Sequence, residues 1–407
     1  MNAPVGIDSL NLYGSTLAVD NEMVAVARGL ERYLDHVQIR RRSIAPLVED
    51  PITLAVNAAR PLVEEAGPDA FELLIVATES GVDLGKPISS YVHRHLGLPS
   101  RCRNLEAKHA CYAGTAALQL ATAWVRSGER PGKRALVITT DLPGRQFGEP
   151  AEFTPGTGAV ALSVGAEPRV LALDPWSGYA SREIYDTARP TPTTHWVDEA
   201  LSLGAYLDLF EMAWEEYRRA RRDRGGGEEL THVVYHMPLV RLVREAHRIL
   251  EESEGEEWSE ERLASSFERM VRPSLAYCEE VGNIFSGTLY AGLAALLDSA
   301  ACPSAGARIG LYSYGSGSCA EFYSGVVGPA ARETVSRHGI AAHIAERRPL
   351  TLEEYERTVL DHEASVGRAE FRPGCDLPAG LYAQAYEGRD RLVLARVENH
   401  YRHYSWS

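Results

Sequence analysis

Four residues of this 407-residue chain have types and neighbours suited to acyl chemistry: Cys111, Glu79, His236 and Asn283. Cys111 stands in Lys108-His109-Ala110-Cys111-Tyr112-Ala113-Gly114-Thr115-Ala116-Ala117-Leu118, where a short loop gives way to small and helix-forming residues. The pattern predicts a thiol in a helix's first turn. Unpaired backbone N–H groups and the positive end of the helix dipole favour a thiolate there. The same N–H groups can stabilise the oxyanion formed when that thiolate attacks a carbonyl. The competing reading is a small buried cysteine with no chemistry. Against it stand an acid, an imidazole and a glycine-rich turn at matching strand ends elsewhere.

Glu79 follows the apolar run ending Val76-Ala77-Thr78. At such a rim, desolvation raises a carboxyl pKa toward the range of a general base, although a turn or capping acid has the same signature. His236 closes Val233-Val234-Tyr235, and Pro238 holds Met237 extended, which helps aim the ring. A hydrogen-bonded structural histidine is the alternative. Asn283 precedes a predicted helix as an N-cap or as a holder of a carbonyl oxygen. The turn Ser313-Tyr314-Gly315-Ser316-Gly317-Ser318 exposes backbone N–H groups. It lacks the Lys-Ser/Thr ending of a phosphate loop, so a second oxyanion donor is the better reading.

The elements that must position these groups alternate between strand and helix. Strands are predicted at Val5–Tyr13, Glu72–Thr78, Arg134–Thr140, Ala159–Val164, Val170–Leu173, His232–Tyr235, Arg308–Tyr312 and Leu392–Val397. Helices are predicted at Ile52–Ala66, Cys111–Ser127, Ser202–Arg222, Leu239–Leu250, Glu260–Tyr277 and Ser286–Leu297. This alternation indicates an α/β layered fold. The halves also echo each other in order: the strand before Glu79 with that before His236, Cys111–Leu118 with Phe285–Leu293, and Arg134–Asp141 with Arg308–Ser316. Duplication would bring equivalent strand ends and helix starts to one central site.

Composition narrows the function class. Hydrophobic content of 45% and charged content of 24% are those of a globular protein, and a net charge of −14 argues against nucleic-acid binding. No apolar run is long enough to span a bilayer, and the first residues lack a basic segment followed by an apolar core. A cytoplasmic protein with no membrane partner is expected. The six cysteines show neither a disulfide framework nor metal-ligand spacing, so no metal or redox cofactor is expected.

With those residues in hand, the chain resembles the 3-hydroxy-3-methylglutaryl-CoA synthase family. The resemblance is carried by Ala77-Thr78-Glu79-Ser80, Ala110-Cys111-Tyr112, His236-Met237-Pro238, Val281-Gly282-Asn283-Ile284 and Ser313–Ser318, and further by Tyr185-Asp186 with Arg189-Pro190-Thr191 and by Glu321-Phe322-Tyr323-Ser324. It implies the thiolase fold, a duplicated αβαβα architecture with halves 1–167 and 168–407, and a homodimer. It further implies that Cys111 takes an acetyl group from a thioester and that Glu79 removes a methyl proton from it. His236 would contact the acceptor near its thioester. The N–H groups of Cys111 and Ser316 would form the oxyanion hole, and Asn283, Gly315 and Tyr185 would complete substrate binding. Substrates would ride on the phosphopantetheine of an acyl carrier protein or on CoA, with no bound cofactor.

Two segments depart from the mevalonate-pathway enzymes. These usually carry Thr-Pro where this chain has Cys111–Ala117, and an Ala-Arg-Tyr-like stretch where it has Thr140-Asp141-Leu142-Pro143-Gly144-Arg145-Gln146-Phe147. The chain looks more like the polyketide β-branching branch, whose partners are donor and acceptor acyl carrier proteins. Carrier proteins are acidic, so docking on an acidic enzyme calls for local basic patches. Arg40-Arg41-Arg42 and Arg218, Arg219, Arg221, Arg222 and Arg224 are the candidates, each also readable as solvated surface. The alternatives are the CoA-dependent mevalonate enzyme, a ketoacyl synthase or thiolase performing a Claisen condensation, and a non-catalytic scaffold of the same fold.

Overall fold

The computed structural model describes residues 3–224, 229–253, 259–374 and 378–407. Its centre is a nine-stranded sheet: β1 (Val5–Tyr13), β2 (Phe71–Ala77), β3 (Arg103–Ala107), β4 (Arg134–Asp141), β5 (Gly158–Ala166), β6 (Leu171–Ser181), β7 (His232–Tyr235), β8 (Arg308–Gly315) and β9 (Cys319–Val327). Their order across the sheet is β7-β8-β9-β6-β1-β5-β4-β2-β3. Read outward from the centre, the first half runs β1-β5-β4-β2-β3 and the second runs β6-β9-β8-β7. The same winding is used twice, and the second half stops one strand short. β4 lies parallel to β2 and antiparallel to β5, as β8 lies parallel to β7 and antiparallel to β9.

Strands with both faces covered explain the long apolar runs. The helix Pro51–Ala66 packs on the outer face of the first half against β1, β4 and β5, and Leu74 and Val76 fall in the same buried cluster as Leu54, Ala58 and Leu62. Leu73, Ile75 and Ala77 point the other way, toward Ala113, Ala117 and Ala121 of the helix Ala113–Arg126. That helix and Thr288–Asp298 form the middle layer, joined by a Thr115–Tyr290 hydroxyl contact of 2.9 Å. The helix Glu199–Asp223 covers β6 and β9 on the far side. The result is the five-layered αβαβα arrangement.

Asp50 caps the helix Pro51–Ala66: its carboxylate accepts from the Ile52 and Thr53 N–H groups while Thr53 bonds back to the Asp50 N–H. Pro51 fills the first turn, where no hydrogen bond is lost.

The strand expected at Leu392–Val397 is present as Leu392–Glu398 and pairs in a hairpin with Tyr401–Trp406, outside the central sheet. Other expected elements are corrected. The helix from Glu260 ends at Met270, because Pro273 imposes a 3-10 turn over Arg272–Ser274. β3 and β9 escape a search for apolar runs, since β3 is half exposed and β9 carries Glu321 and Ser324 among its apolar residues. Residues 225–228, residues 254–258 and the segment 375–377 with Cys375 lie outside the described residues. Among the described residues no helix is long and apolar enough to cross a membrane.

Candidate active site

β2, β4 and β7 all deliver polar groups at their C-terminal ends, the end at which an α/β sheet presents its site. Glu79 follows β2 by two residues and His236 directly follows β7. Both, together with Cys111, Asn283 and Ser316, line one cleft of about 470 Å³ that opens to solvent. Five of the residues singled out from sequence therefore share a single space.

Cys111 is placed by an elbow. Ala110 has φ of +40°, a conformation that costs an alanine energy, and the helix then begins at Ala113. The thiol thus precedes the first turn instead of lying in it. Its pKa is pushed well up by burial and, after that, by the carboxylates Glu79, Asp141 and Asp186. The expected resting thiolate is corrected on that ground: desolvation and three acids outweigh the helix terminus, and the resting group is the thiol. Among the described residues neither the Cys111 N–H nor the Ser316 N–H donates to a protein acceptor, so both are available to an oxyanion.

Gly315 makes this juxtaposition possible. A Cβ at that position would stand 2.5 Å from the Tyr112 nitrogen and 2.7 Å from the His109 oxygen. Only a glycine lets the end of β8 lie against the nucleophile loop. Asp186 fixes the turn beyond it, accepting from the Gly317 N–H at 3.0 Å and from the Tyr314 hydroxyl at 3.0 Å.

Glu79 is held by Arg189, whose Nη1 lies 3.4 Å from Oε1 with both side chains nearly enclosed. Burial raises the Glu79 pKa and Arg189 opposes the rise. Beneath it, Asp141 accepts from the Glu79 N–H at 2.9 Å, the Ser80 hydroxyl at 2.9 Å and the Thr78 hydroxyl at 3.1 Å. Burial and the neighbouring Glu79 push Asp141 up to about 8. One guanidinium therefore faces two crowded carboxyls, and burial holds both above the usual carboxylate range.

His236 is 2% exposed, and burial lowers its pKa to about 3. Its imidazole is neutral, and Nδ1 has no partner among the described residues. The backbone is pinned at both ends: its N–H donates to the Tyr312 carbonyl at 2.7 Å, and its carbonyl accepts from the Tyr206 hydroxyl at 2.8 Å. Asn283 spends Oδ1 on the Phe285 N–H (3.0 Å) and the Thr288 hydroxyl (2.7 Å), which presents its amide N–H₂ as the remaining donor. Both readings of Asn283, cap and cavity donor, are thus structurally compatible.

Other residues chosen from sequence lie elsewhere. Tyr185 is 66% exposed, stacks on Trp196 at 5.4 Å and does not line the cleft. Arg42 is corrected as a docking residue: it is 3% exposed, bonds Asn21, Pro155 and Tyr355, and braces the loop before β5. Arg40 and Arg41 are exposed, and both pair with Glu280 at 2.8 Å. Arg218 to Arg224 sit at the far end of a helix whose other end lines the cleft. At 1.5 Å per residue, Ser202 and Arg218 are separated by roughly 24 Å. Arg218 bonds the Ser253 carbonyl at 2.9 Å and Arg219 pairs with Glu216.

Sequence reasoning gave no role to Arg189, His195 or Gln146. His195 lines the cleft between Gln146 and Thr187, 3.2 Å from each, and burial, then Arg189, lowers its pKa to about 4. It lies on the hairpin strand Thr194–Val197, where alternation sends His195 inward and Trp196 out, but no motif marks it. Arg189 stood within a quoted motif, and its contact with Glu79 depends on the pairing of Thr187–Thr191 with Thr194–Val197. At the mouth of the cleft, the exposed Arg241 adds a positive charge.

The chain matches the family models described as hydroxymethylglutaryl-coenzyme A synthase N terminal, over residues 2–169, and C terminal, over residues 250–405. It is 35% identical to the Bacillus subtilis polyketide biosynthesis 3-hydroxy-3-methylglutaryl-ACP synthase PksG, over 98% of this chain and 99% of that one. It is 33% identical to the hydroxymethylglutaryl-CoA synthase of Enterococcus faecalis, over 86% of this chain and 90% of that one. The curacin biosynthetic pathway HMG synthase, solved in complex with its holo donor-ACP, superposes with a TM-score of 0.93 at 35% identity, covering 99% of this chain and 100% of the other.

Proposed function

The chain belongs to the hydroxymethylglutaryl-CoA synthase family, an enzyme family of the thiolase-like α/β fold, and on that premise we propose that it is the acyl-carrier-protein-dependent form acting in polyketide β-branching. The reading rests on one observation: Cys111, Glu79, His236, Asn283 and Ser316 line a single cleft. Its carrier-protein character is supported by the PksG and curacin relatives and by the Leu142–Phe147 loop.

In this reading the Cys111 sulfur attacks the acetyl thioester carbonyl, the carrier's C–S bond breaks, and the carrier thiol leaves with the proton. The free N–H groups of Cys111 and Ser316 meet the oxyanion; one such donor is worth roughly 10²–10³ in rate. The Glu79 carboxylate then takes a proton from the methyl group of acetyl-Cys111. The resulting carbon adds to the β-ketone of the acceptor thioester, and the new alkoxide takes the proton back from Glu79. Neutral His236 and the Asn283 amide contact the acceptor, a β-ketoacyl chain on a second carrier protein. Water cleaves the thioester to Cys111, leaving a carboxylate and restoring the thiol. The product is a 3-hydroxy-3-carboxymethyl acyl chain on its carrier.

We read residues 1–167 and 168–407 as the duplicated halves, the cytoplasm as the compartment, and a homodimer as the assembly. The edge strand β3, unpaired on one side and carrying the 36%-exposed Leu105, supports the last of these. Tyr185 enters this reading only as the neighbour of Asp186. For docking, Arg40 and Arg41 stay as surface candidates and Arg241 at the cleft mouth joins them.

The test is intact-protein mass spectrometry after exposure to matched acetyl-carrier-protein and acetyl-CoA donors. An acetyl adduct on Cys111, formed faster from the carrier protein, is expected. Strong preference for CoA would move the chain to the mevalonate branch, and no adduct from either donor would leave a scaffold.

A further inference from the structure

A second cleft, of about 70 Å³, lies between the segment 343–348 and the C-terminal segment 381–391 and shares no lining residue with the first. Four arginines, Arg347, Arg348, Arg389 and Arg391, together with His343, face a single carboxylate, Glu346. Three polar atoms of these residues are buried without a hydrogen-bond partner among the described residues: His343 Nε2, Arg347 Nη2 and Arg348 Nη1.

Their orientations are fixed. Arg348 donates its other terminal nitrogen to Glu354 at 2.8 Å, which directs Nη1 away from that pair. His343 stacks on Tyr13 at 4.7 Å, and the Ser15 backbone beside the ring favours a proton on Nδ1, which makes the unpartnered Nε2 the acceptor. Burial, then Arg391 and Arg347, lower its pKa to about 3, so the ring is neutral. Arg347 donates Nε to the Ile344 carbonyl and Nη1 to the Ser43 hydroxyl, while Nη2 lies 3.6 Å from Glu280 without a hydrogen bond. Arg391 bonds the Ala385 carbonyl at 2.8 Å. Arg389 is exposed and forms no ion pair among the described residues.

We propose that this cleft binds a phosphate group that carries a proton, either inorganic hydrogen phosphate or the monoprotonated form of a phosphomonoester. The wall presents guanidinium donors, which need acceptor oxygens, beside a neutral imidazole nitrogen, which needs a donor. A protonated phosphate supplies both. Sulfate has the same shape and charge with no proton to give at neutral pH, and an ionised carboxylate offers acceptors alone. The site does not depend on the reaction assigned above.

The test is calorimetric titration of the full chain with inorganic phosphate and with sulfate at equal ionic strength near neutral pH. Saturable single-site binding of phosphate is expected, with sulfate at least about tenfold weaker. Arg389→Ser and Arg348→Met should each weaken phosphate binding by about tenfold or more. Acetylation of Cys111 should be unchanged. Because Arg389 is exposed, Arg389→Ser keeps the test valid even if loss of the Glu354 pair unsettles Arg348→Met. Titration with CoA and dephospho-CoA separates the sources. A CoA advantage that vanishes in Arg389→Ser assigns the cleft to a ligand-borne phosphomonoester, and equal affinities assign it to the free ion. Absence of saturable phosphate binding, equal binding of sulfate, or indifference to Arg389→Ser would overturn the proposal.

Discussion

The elbow before the helix Ala113–Arg126 and the elbow before Thr288–Asp298 are the same backbone device used to different ends. Ala110 (φ +40°) precedes Cys111, and Phe285 (φ +54°) precedes Ser286, with the helix starting two residues later in each half. In the first, the side chain after the strained residue lines the cleft. In the second, Ser286 is 1% exposed with a hydroxyl that has no partner among the described residues, and Phe285 lines the cleft instead. The strand ends diverge likewise: a carboxylate raised by burial and held by Arg189 stands against an imidazole lowered by burial with no partner at Nδ1. Duplicated geometry supplies positions, and access to the cleft decides which of them do chemistry.

The comparison breaks most visibly at the elbows. Cys111→Ala should lower turnover by roughly 10⁴-fold or more and erase the acetyl adduct. Ser286→Ala should leave turnover intact and, by removing an unsatisfied buried hydroxyl, hold or raise the melting temperature. Equal losses of activity would mean that both elbows are catalytic. Glu79→Ala should slow condensation by roughly 10²–10⁴-fold while acetylation of Cys111 persists. Mass spectrometry with and without acceptor separates the two steps, and loss of the adduct itself would move Glu79 to the first step.

Gly315→Ala tests whether one half seats the nucleophile of the other. A Cβ only 2.5 Å from the Tyr112 nitrogen must displace that loop, and a fall of about 10²-fold in acetyl transfer is expected from misplacement alone. Unaltered kinetics would show the loop to be compliant. The smallest effect is that of Arg189→Met. Because Arg189 lowers the Glu79 pKa, its removal raises it. The base is then protonated to higher pH, so the acid limb of the condensation pH profile should shift upward, with a loss of roughly tenfold near neutrality. A profile moved downward, or not at all, would remove Arg189 from the positioning of the base.

Much of this was legible in the chain because it is written in local patterns. Apolar runs ending in Glu79 and His236 marked strand ends, and the ordered echoes between halves anticipated the repeated winding around β1 and β6. Arg42 was misjudged as a docking residue because a run of basic residues says nothing of burial: Arg42 turns inward to Asn21 and Tyr355 while Arg40 stays out. Cys111 was expected as a thiolate because the helix start is visible in sequence and the approach of Asp141 and Asp186 is not.

What the sequence determined by itself was the set of reactive side chains and the elements that end at them, since both follow from neighbours along the chain. Only the tertiary structure decided which groups share a cleft and in what protonation state they rest. Burial and charge–charge distance govern both, and each is set by residues far apart in sequence, as Arg189 beside Glu79 and Gly315 beside Tyr112 illustrate.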